Sequence, residues 1–249
     1  MITYRRAAKA AVKHMSKAWL GLRKVLGAPT VRHCPACDGD VVGFFRYGDC
    51  AEWGCPKCGA SPRERLMHHL LDTQEISVPP GAVLHMAPNE ASLVARFRQA
   101  ATDYVPADLD PSRYPIAGIR KVDLMEIAET ERFDIVYASH VMEHVPDDAH
   151  VLANLHRALK PGGEAWLMVP LWDRETEDGS FAMPPRERER RFGQWDHVRQ
   201  YGIDFRDRLA AAGFEVRLEA ATDAAPEVRD RQALGDILFR AVKPGVPAA

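Results

Sequence analysis

From Pro80 onward the chain alternates short apolar runs with stretches in which apolar residues recur every three or four positions. VLHM (Val83–Met86) is followed by a helical stretch over residues 90–101. YVPAD and FDIVYAS (Phe133–Ser139) read as strands, and a second helical stretch, residues 147–159, leads into EAWLMVP. A later helix over 204–212 precedes FEVRLEA. Such alternation predicts an α/β fold with a mostly parallel sheet covered by helices on both faces.

Upstream the pattern changes. Between Thr3 and Leu26, apolar residues fall at Ala8, Val12, Met15, Trp19, Leu22 and Leu26, a spacing that places them on one helical face. Lys and Arg fill most of the remainder, and Gly27, Ala28 and Pro29 end the helix. A helix over 62–73 is expected from Leu66, Leu70 and Leu71.

Charge sharpens this division. The first thirty residues hold seven of the 33 Lys/Arg and none of the 35 Asp/Glu, so a net charge of -2 conceals a basic segment on an acidic body. A basic amphipathic helix can pack on its own protein with its basic face in solvent, lie on an anionic membrane or contact nucleic acid. No run of 18 apolar residues occurs, which excludes a membrane-spanning helix, and no export signal is recognisable, so a cytoplasmic protein is expected, with peripheral contact at the inner membrane face open.

Residues 30–61 are rich in Cys, Gly and Pro. Cys34-Pro-Ala-Cys37 and Cys55-Pro-Lys-Cys58 stand seventeen residues apart, the spacing of a four-cysteine structural zinc site. Gly39 and Gly59 follow the two knuckles where sharp turns are expected. Cys50 and His33 are spare ligands, read as a free thiol and a loop residue. Four modules result: a helix (1–29), a zinc-ribbon-like module (30–61), the α/β domain (62–243) and a tail (244–249).

The segments FDIVYASHVMEHVPDD and LHRALKPGGEAWLMVP resemble class I S-adenosylmethionine-dependent methyltransferases of the type 11 group, which have a Rossmann-like sheet. The likeness covers about Pro80 to Val216. A smaller branch of that group carries a Leu-His-x-Ala-Pro first motif, a zinc-ribbon-like N-terminus and a late Phe-Gly-Gln-x-Asp-His-Val-Arg-x-Tyr-Gly stretch. This chain has all three: Leu84-His85-Met86-Ala87-Pro88, the CxxC pairs, and Phe192 to Gly202.

The resemblance implies the cofactor S-adenosylmethionine and a set of contacts. His85, Ala87, Asn89 and Glu90 occupy the first motif, which here has no glycine; Asn89 is expected to take the left-handed backbone that glycine would, and Glu90 to accept from the cofactor's amino group. Asp108 is placed for the ribose hydroxyls, with Asp110 as competitor, and Asp123 for the adenine amino group, flanked by Leu124 and Met125. His140, which also borders the cofactor, and His144 are candidates for the acceptor's proton, with Glu143 and His197 as alternatives. The polar insertion Asp173–Arg191 is the place for an acceptor-binding lid; its RERERR run is read as a solvated helix face.

A small-molecule or glycan acceptor, methylated on O or N, suits the acidic body better than nucleic acid does. Two rivals stand beside this reading. One is a non-catalytic scaffold that binds nucleic acid or a protein partner through ribbon and helix; the other, a dinucleotide-dependent oxidoreductase, needs a GxGxxG motif that the chain lacks.

Overall fold

The computed structural model describes residues 2–245, with side chains from Ala7 onward, and divides into two compact units. One comprises the chain up to Ser77 together with Ala220–Asp236; the other is Val78–Glu219 with the chain from Ile237. The predicted tail lies, beyond Gly245, outside the described residues.

In the first unit, helix α1 (Ile2–Val25) precedes two antiparallel hairpins, β1 (Arg32–Cys34) with β2 (Gly39–Val41), and β3 (Phe45–Tyr47) with β4 (Cys50–Gly54). Helix α2 (Pro62–Asp72) starts at a capping box: the Ser61 amide donates to Glu64 Oε2 at 2.8 Å, and Ser61 Oγ accepts from the Glu64 amide at 3.5 Å. Pro62 at its first turn needs no N–H partner. A small core of Cys34, Val41, Phe44, Cys55 and Ala60 lies between the hairpins.

Helix α1 packs on the ribbon by a face the periodicity did not select. Leu20 is buried, Ser16 Oγ accepts from the Arg46 amide at 2.9 Å, and the Lys17 ammonium stands 4.5 Å from the Phe45 ring centre. The predicted apolar stripe is exposed instead, with Met15, Trp19 and Leu26 at 71, 59 and 74%. A helix packed through its apolar face, its basic face in solvent, is therefore corrected: lysine stems and aromatic rings make the contact.

The second unit holds the sheet. Its strands are β5 (Ala82–Met86), β6 (Asp103–Asp108), β7 (Arg120–Lys121), β8 (Phe133–Ser139), β9 (Leu159–Met168), then the short hairpin β10 (Glu177–Asp178) and β11 (Arg199–Gln200), β12 (Glu215–Ala220) and β13 (Ile237–Val242). Seven form one sheet in the order β12-β13-β9-β8-β5-β6-β7, parallel from β9 through β7, with β13 antiparallel to β9. Helices α3 (Ala91–Ala100), α4 (Asp148–Ala158), α5 (Pro185–Phe192) and α6 (Phe205–Ala211) belong to this unit, and α7 (Pro226–Gln232) to the first.

Two-residue periodicity divides the central strands between two buried faces. Leu84, Val136, Ala165 and Leu167 join Leu152, Leu155, Phe205 and Leu209 in one core. The alternate residues His85, Tyr137 and Trp166 surround the α3 residue Phe97, with ring centres 5.2 to 6.3 Å away. Early in β9, where its pairing with β8 is irregular, Gly162 takes φ +79°, and a Cβ on Gly163 would stand 3.0 Å from the carbonyl oxygens of Lys160 and Phe133, so the backbone here demands glycine at both positions.

Strand order matters for the site. The chain steps from β5 to β6 on one side and later returns to place β8 on the other, so β5 and β8 flank a topological switch point where ligands of parallel α/β sheets sit.

Candidate active site

In the first unit, the four CxxC cysteines come together. Cys34 Sγ lies 3.7 Å from Cys58 Sγ and Cys37 Sγ 3.9 Å from Cys55 Sγ, and all four sulfurs fall within 4.8 Å of one another. A tetrahedral zinc with bonds of about 2.3 Å separates its thiolates by about 3.8 Å, so the cluster fits the ion. Gly59 takes the left-handed turn expected of it, whereas at the first knuckle Asp38 does so and Gly39 is a strand residue. Cys50 is exposed and outside the cluster; His33 is in a strand, with Nδ1 3.0 Å from Asp40 Oδ1.

Arg65, fully buried, braces this unit. All five guanidinium N–H groups donate to backbone carbonyls, at 2.7 Å to Gln232, Ala60 and Ala233, 2.9 Å to Glu52 and 3.3 Å to Trp53, while the group stacks 3.9 Å from the centre of Phe44. Burial lowers its pKa to about 10, opposed by the nearby Cys34 and Cys55 sulfurs, so it stays cationic at neutral pH. Nothing in the local sequence singles out this arginine.

In the second unit, the carboxyl ends of β6, β5 and β8 carry the candidate cofactor residues side by side. After β5, Ala87 has φ 49° and its amide donates to the Ala107 carbonyl at 2.9 Å. The left-handed residue is therefore Ala87, not Asn89: the strained position sits immediately after the strand, where the backbone must turn before Pro88 fixes φ. Glu90 is buried at the N-terminus of α3. Behind it, His85 has no exposed surface, sits 2.9 Å from the Tyr104 hydroxyl and has Nε2 3.9 Å from Glu90 Oε2. Burial lowers the His85 pKa against the opposing pull of Glu90.

At the end of β6, the Asp108 carboxylate is 8% exposed and holds two donors, the Asp110 amide at 2.7 Å and the Tyr114 hydroxyl at 3.1 Å. Burial, together with the Asp108 charge, raises the Tyr114 pKa to about 12. Asp110 instead caps a short turn by accepting from Ser112. The Tyr114 contact was not foreseen, because nothing in YPIAG marks this tyrosine. Asp123 accepts from the Met125 amide at 2.8 Å, Leu124 is buried in the core, and Asn154 donates to the carbonyls of Leu124 and Met125.

Beyond β8 the chain turns through His140, whose φ of 57° is in the left-handed region, into a short 3-10 turn, Met142–His144. His140 Nδ1 stands 3.4 Å from Glu143 Oε1, and its Nε2 is buried without a hydrogen-bond partner. Burial would raise the pKa of Glu143, but the His140 hydrogen bond and nearby imidazole charge hold it below the usual carboxylate range. The late segment is stitched to this turn by the Val198 amide, which donates to the Glu143 carbonyl at 2.9 Å. It brings His197 to His144, ring centres 4.7 Å apart and edge to face. Burial lowers the His197 pKa against the opposing charge of Glu143.

Arg199, two residues after His197, is buried and pairs with Asp178, with Asp148 at 3.5 Å; Asp148 also accepts from Tyr201 at 3.0 Å and Arg208 at 3.0 Å. The insertion forms an open polar recess lined by Trp172, Arg174, Glu177, Glu187 and Arg190. RERERR forms α5, but Arg188 is 5% exposed and donates to the Trp195, Phe181 and Met183 carbonyls, so the run is not wholly solvated.

Residues 60–219 match a family described as a methyltransferase domain. A 50-residue stretch is 38% identical to the ubiquinone biosynthesis O-methyltransferase of Pseudomonas syringae pv. tomato; it spans 19% of this chain and only 22% of that enzyme. Among solved structures, an S-adenosylmethionine-dependent methyltransferase from Mesorhizobium loti superposes with TM-score 0.50 at 15% identity, over 71% of this chain and 97% of that one. A Burkholderia thailandensis 1,6-didemethyltoxoflavin-N1-methyltransferase, with its substrate and S-adenosylhomocysteine bound, gives TM-score 0.49 at 18% identity over 72% and 76%. With that family match spanning more than half of its length, the chain belongs to the methyltransferase-domain family, and its mostly parallel seven-stranded sheet, with the switch point between β5 and β8, is like that of class I methyltransferases.

Proposed function

We propose that this protein transfers a methyl group from S-adenosylmethionine to an oxygen or nitrogen of a small molecule or sugar. The observation that carries the reading is Asp108: a buried carboxylate at the carboxyl end of the strand beside the switch point, already accepting a hydroxyl donor in the manner a ribose would supply. Ala87 in a glycine-like conformation answers the missing glycines of the first motif.

When bound, the cofactor supplies a methyl group on a sulfonium and leaves as a neutral thioether. Asp108 holds the ribose hydroxyls, and the turn Ala87–Glu90 faces the methionine end, with Glu90 accepting from its amino group and His85 positioning Glu90 from the core. Asp123, Leu124 and Met125 border the adenine. His140 would accept the proton that the acceptor gives up, and Glu143 would orient the imidazole. The four thiolates hold a structural zinc that folds a segment too small to have a sizeable core.

Two observations bear on the acceptor. The relative matched over 50 residues is named as an O-methyltransferase, and the recess of the insertion is polar. The exposed stripe Met15, Trp19, Leu22 and Leu26, flanked by lysines, suits an anionic membrane surface, which would place the enzyme beside a membrane-linked acceptor. The test is transfer of a labelled methyl group to a panel of phenols, sugars and amines. His140→Asn is expected to lower kcat by at least about a hundredfold with cofactor affinity retained. No transfer to any member, by protein that binds the cofactor, would count against a small-molecule acceptor.

A further inference from the structure

The turn after β8 and the late segment bring together three groups that all accept and none of which donates to another. His197 Nδ1 is 3.0 Å from the Phe192 carbonyl, and His144 Nδ1 is 3.1 Å from the Asp196 carbonyl. A carbonyl only accepts, so each Nδ1 carries the proton and each neutral ring presents a lone pair at Nε2. That is the arrangement by which backbone carbonyls fix metal-ligating histidines. The third group is the Glu143 carboxylate, whose residue has no exposed surface; His140 Nδ1 stands 3.4 Å from its Oε1, while Oε2 and His197 Nε2 are buried and without a hydrogen-bond partner.

A ring nitrogen of each histidine and a carboxylate oxygen of Glu143 lie within 4.8 Å of one another. An ion centred among atoms so spaced is at most about 2.8 Å from each, so closing to bonds of about 2.1 Å takes shifts of less than 1 Å. With both rings neutral, two imidazole lone pairs and a buried carboxylate converge without a donor among them, an arrangement that a cation bound between them relieves.

We infer that Glu143, His144 and His197 form a second metal site, distinct from the four-cysteine cluster, for a divalent first-row transition ion. Two imidazoles and one carboxylate suit manganese, iron, cobalt or zinc rather than magnesium or calcium, which take all-oxygen shells. Three protein ligands leave positions open, as catalytic sites require. The role that follows rests on the methyltransferase reading: an acceptor hydroxyl bound in an open position is fixed beside His140 and made more acidic. Cation binding itself does not depend on that reading.

The experiment uses untagged, full-length protein carrying one zinc per chain, titrated with Co2+ and followed by optical spectroscopy and elemental analysis. One further equivalent is expected, with cobalt d–d absorption and no thiolate-to-cobalt charge-transfer band. Glu143→Gln and His144→Ala are each expected to weaken that equivalent at least about tenfold without loss of the zinc. His144 is half-exposed, so its variant tests the site even if the buried Glu143→Gln chain fails to fold. Saturation at the single zinc, or a second equivalent of unchanged affinity in both folded variants, would overturn the proposal. S-adenosylhomocysteine binding in the same samples separates the two readings: cofactor without cobalt removes the metal site alone, and cobalt without cofactor removes the methyltransferase role alone.

Discussion

Arg65 offers the sharpest stability test. Arg65→Ala deletes a fully buried guanidinium and removes its donors from the carbonyls of Glu52, Trp53, Ala60, Gln232 and Ala233, of which that of Ala60 keeps the Cys55 amide. At about 1 kcal/mol net per bond the five give about 5 kcal/mol, and water entering the vacated space recovers part, which leaves about 3 to 5 kcal/mol. For a chain of this length that is a fall in Tm of about 6 to 20 °C. Arg65→Lys keeps the charge but supplies three donors from one point and cannot reach five separated acceptors, so it should recover only a minor part. The assay is thermal unfolding by circular dichroism at equal, measured zinc content. A shift below about 2 °C for Arg65→Ala would refute the reasoning and mean that the carbonyls rehydrate freely.

Removing zinc with a chelator, or replacing Cys55 by Ser, should unfold the ribbon hairpins while the second unit keeps its helical signal; hydrogen exchange reports both, and protection of β1–β4 surviving zinc loss would contradict it. Glu164 is held by Arg240 at 2.8 and 2.9 Å and by Trp166 at 2.6 Å; burial would raise its pKa, but these partners lower it. The folded-state pKa is below the unfolded one, so the stabilisation is present at neutral pH and lost as pH falls through the folded value. Glu164→Gln should cost about 1 to 3 kcal/mol at pH 7, the difference from wild type vanishing in acid, and a pH-independent difference would count against the ion pair. Ala87→Gly relieves a left-handed alanine and should stabilise by up to about 1 kcal/mol with cofactor affinity kept, while a loss of stability in chemical denaturation would show that Ala87 is unstrained. Sedimentation with anionic vesicles should lose the protein when Trp19 and Leu22 become Glu, and unchanged binding would remove the membrane role of α1.

The sheet was legible because its central strands are buried on both faces and read as continuous apolar runs such as FDIVYAS. The first motif was legible in position but not in detail: which of Ala87 and Asn89 turns left-handed depends on where β5 releases the chain. For α1 the spacing located a helix, yet its packed face was misjudged, because lysine stems over Phe45, Tyr47 and Trp53 count as polar in any periodicity. The four-cysteine cluster followed from spacing alone, since a CxxC knuckle fixes its own geometry. Arg65 and the convergence of His197 on Glu143 and His144 could not be read, because each depends on segments distant in sequence, and Tyr114 could not because its reach back to Asp108 is set by how the chain turns after β6.

The most direct test of the central claim is calorimetric titration of S-adenosylhomocysteine into zinc-loaded protein, wild type beside Asp108→Ala. The account predicts one site per chain with affinity on the order of micromolar, weakened at least about a hundredfold in a variant that keeps its fold, because the buried carboxylate at the end of β6 is the ribose anchor. Equal affinity in the two proteins would displace Asp108 from that role, and no binding by folded wild type would contradict the proposed activity itself.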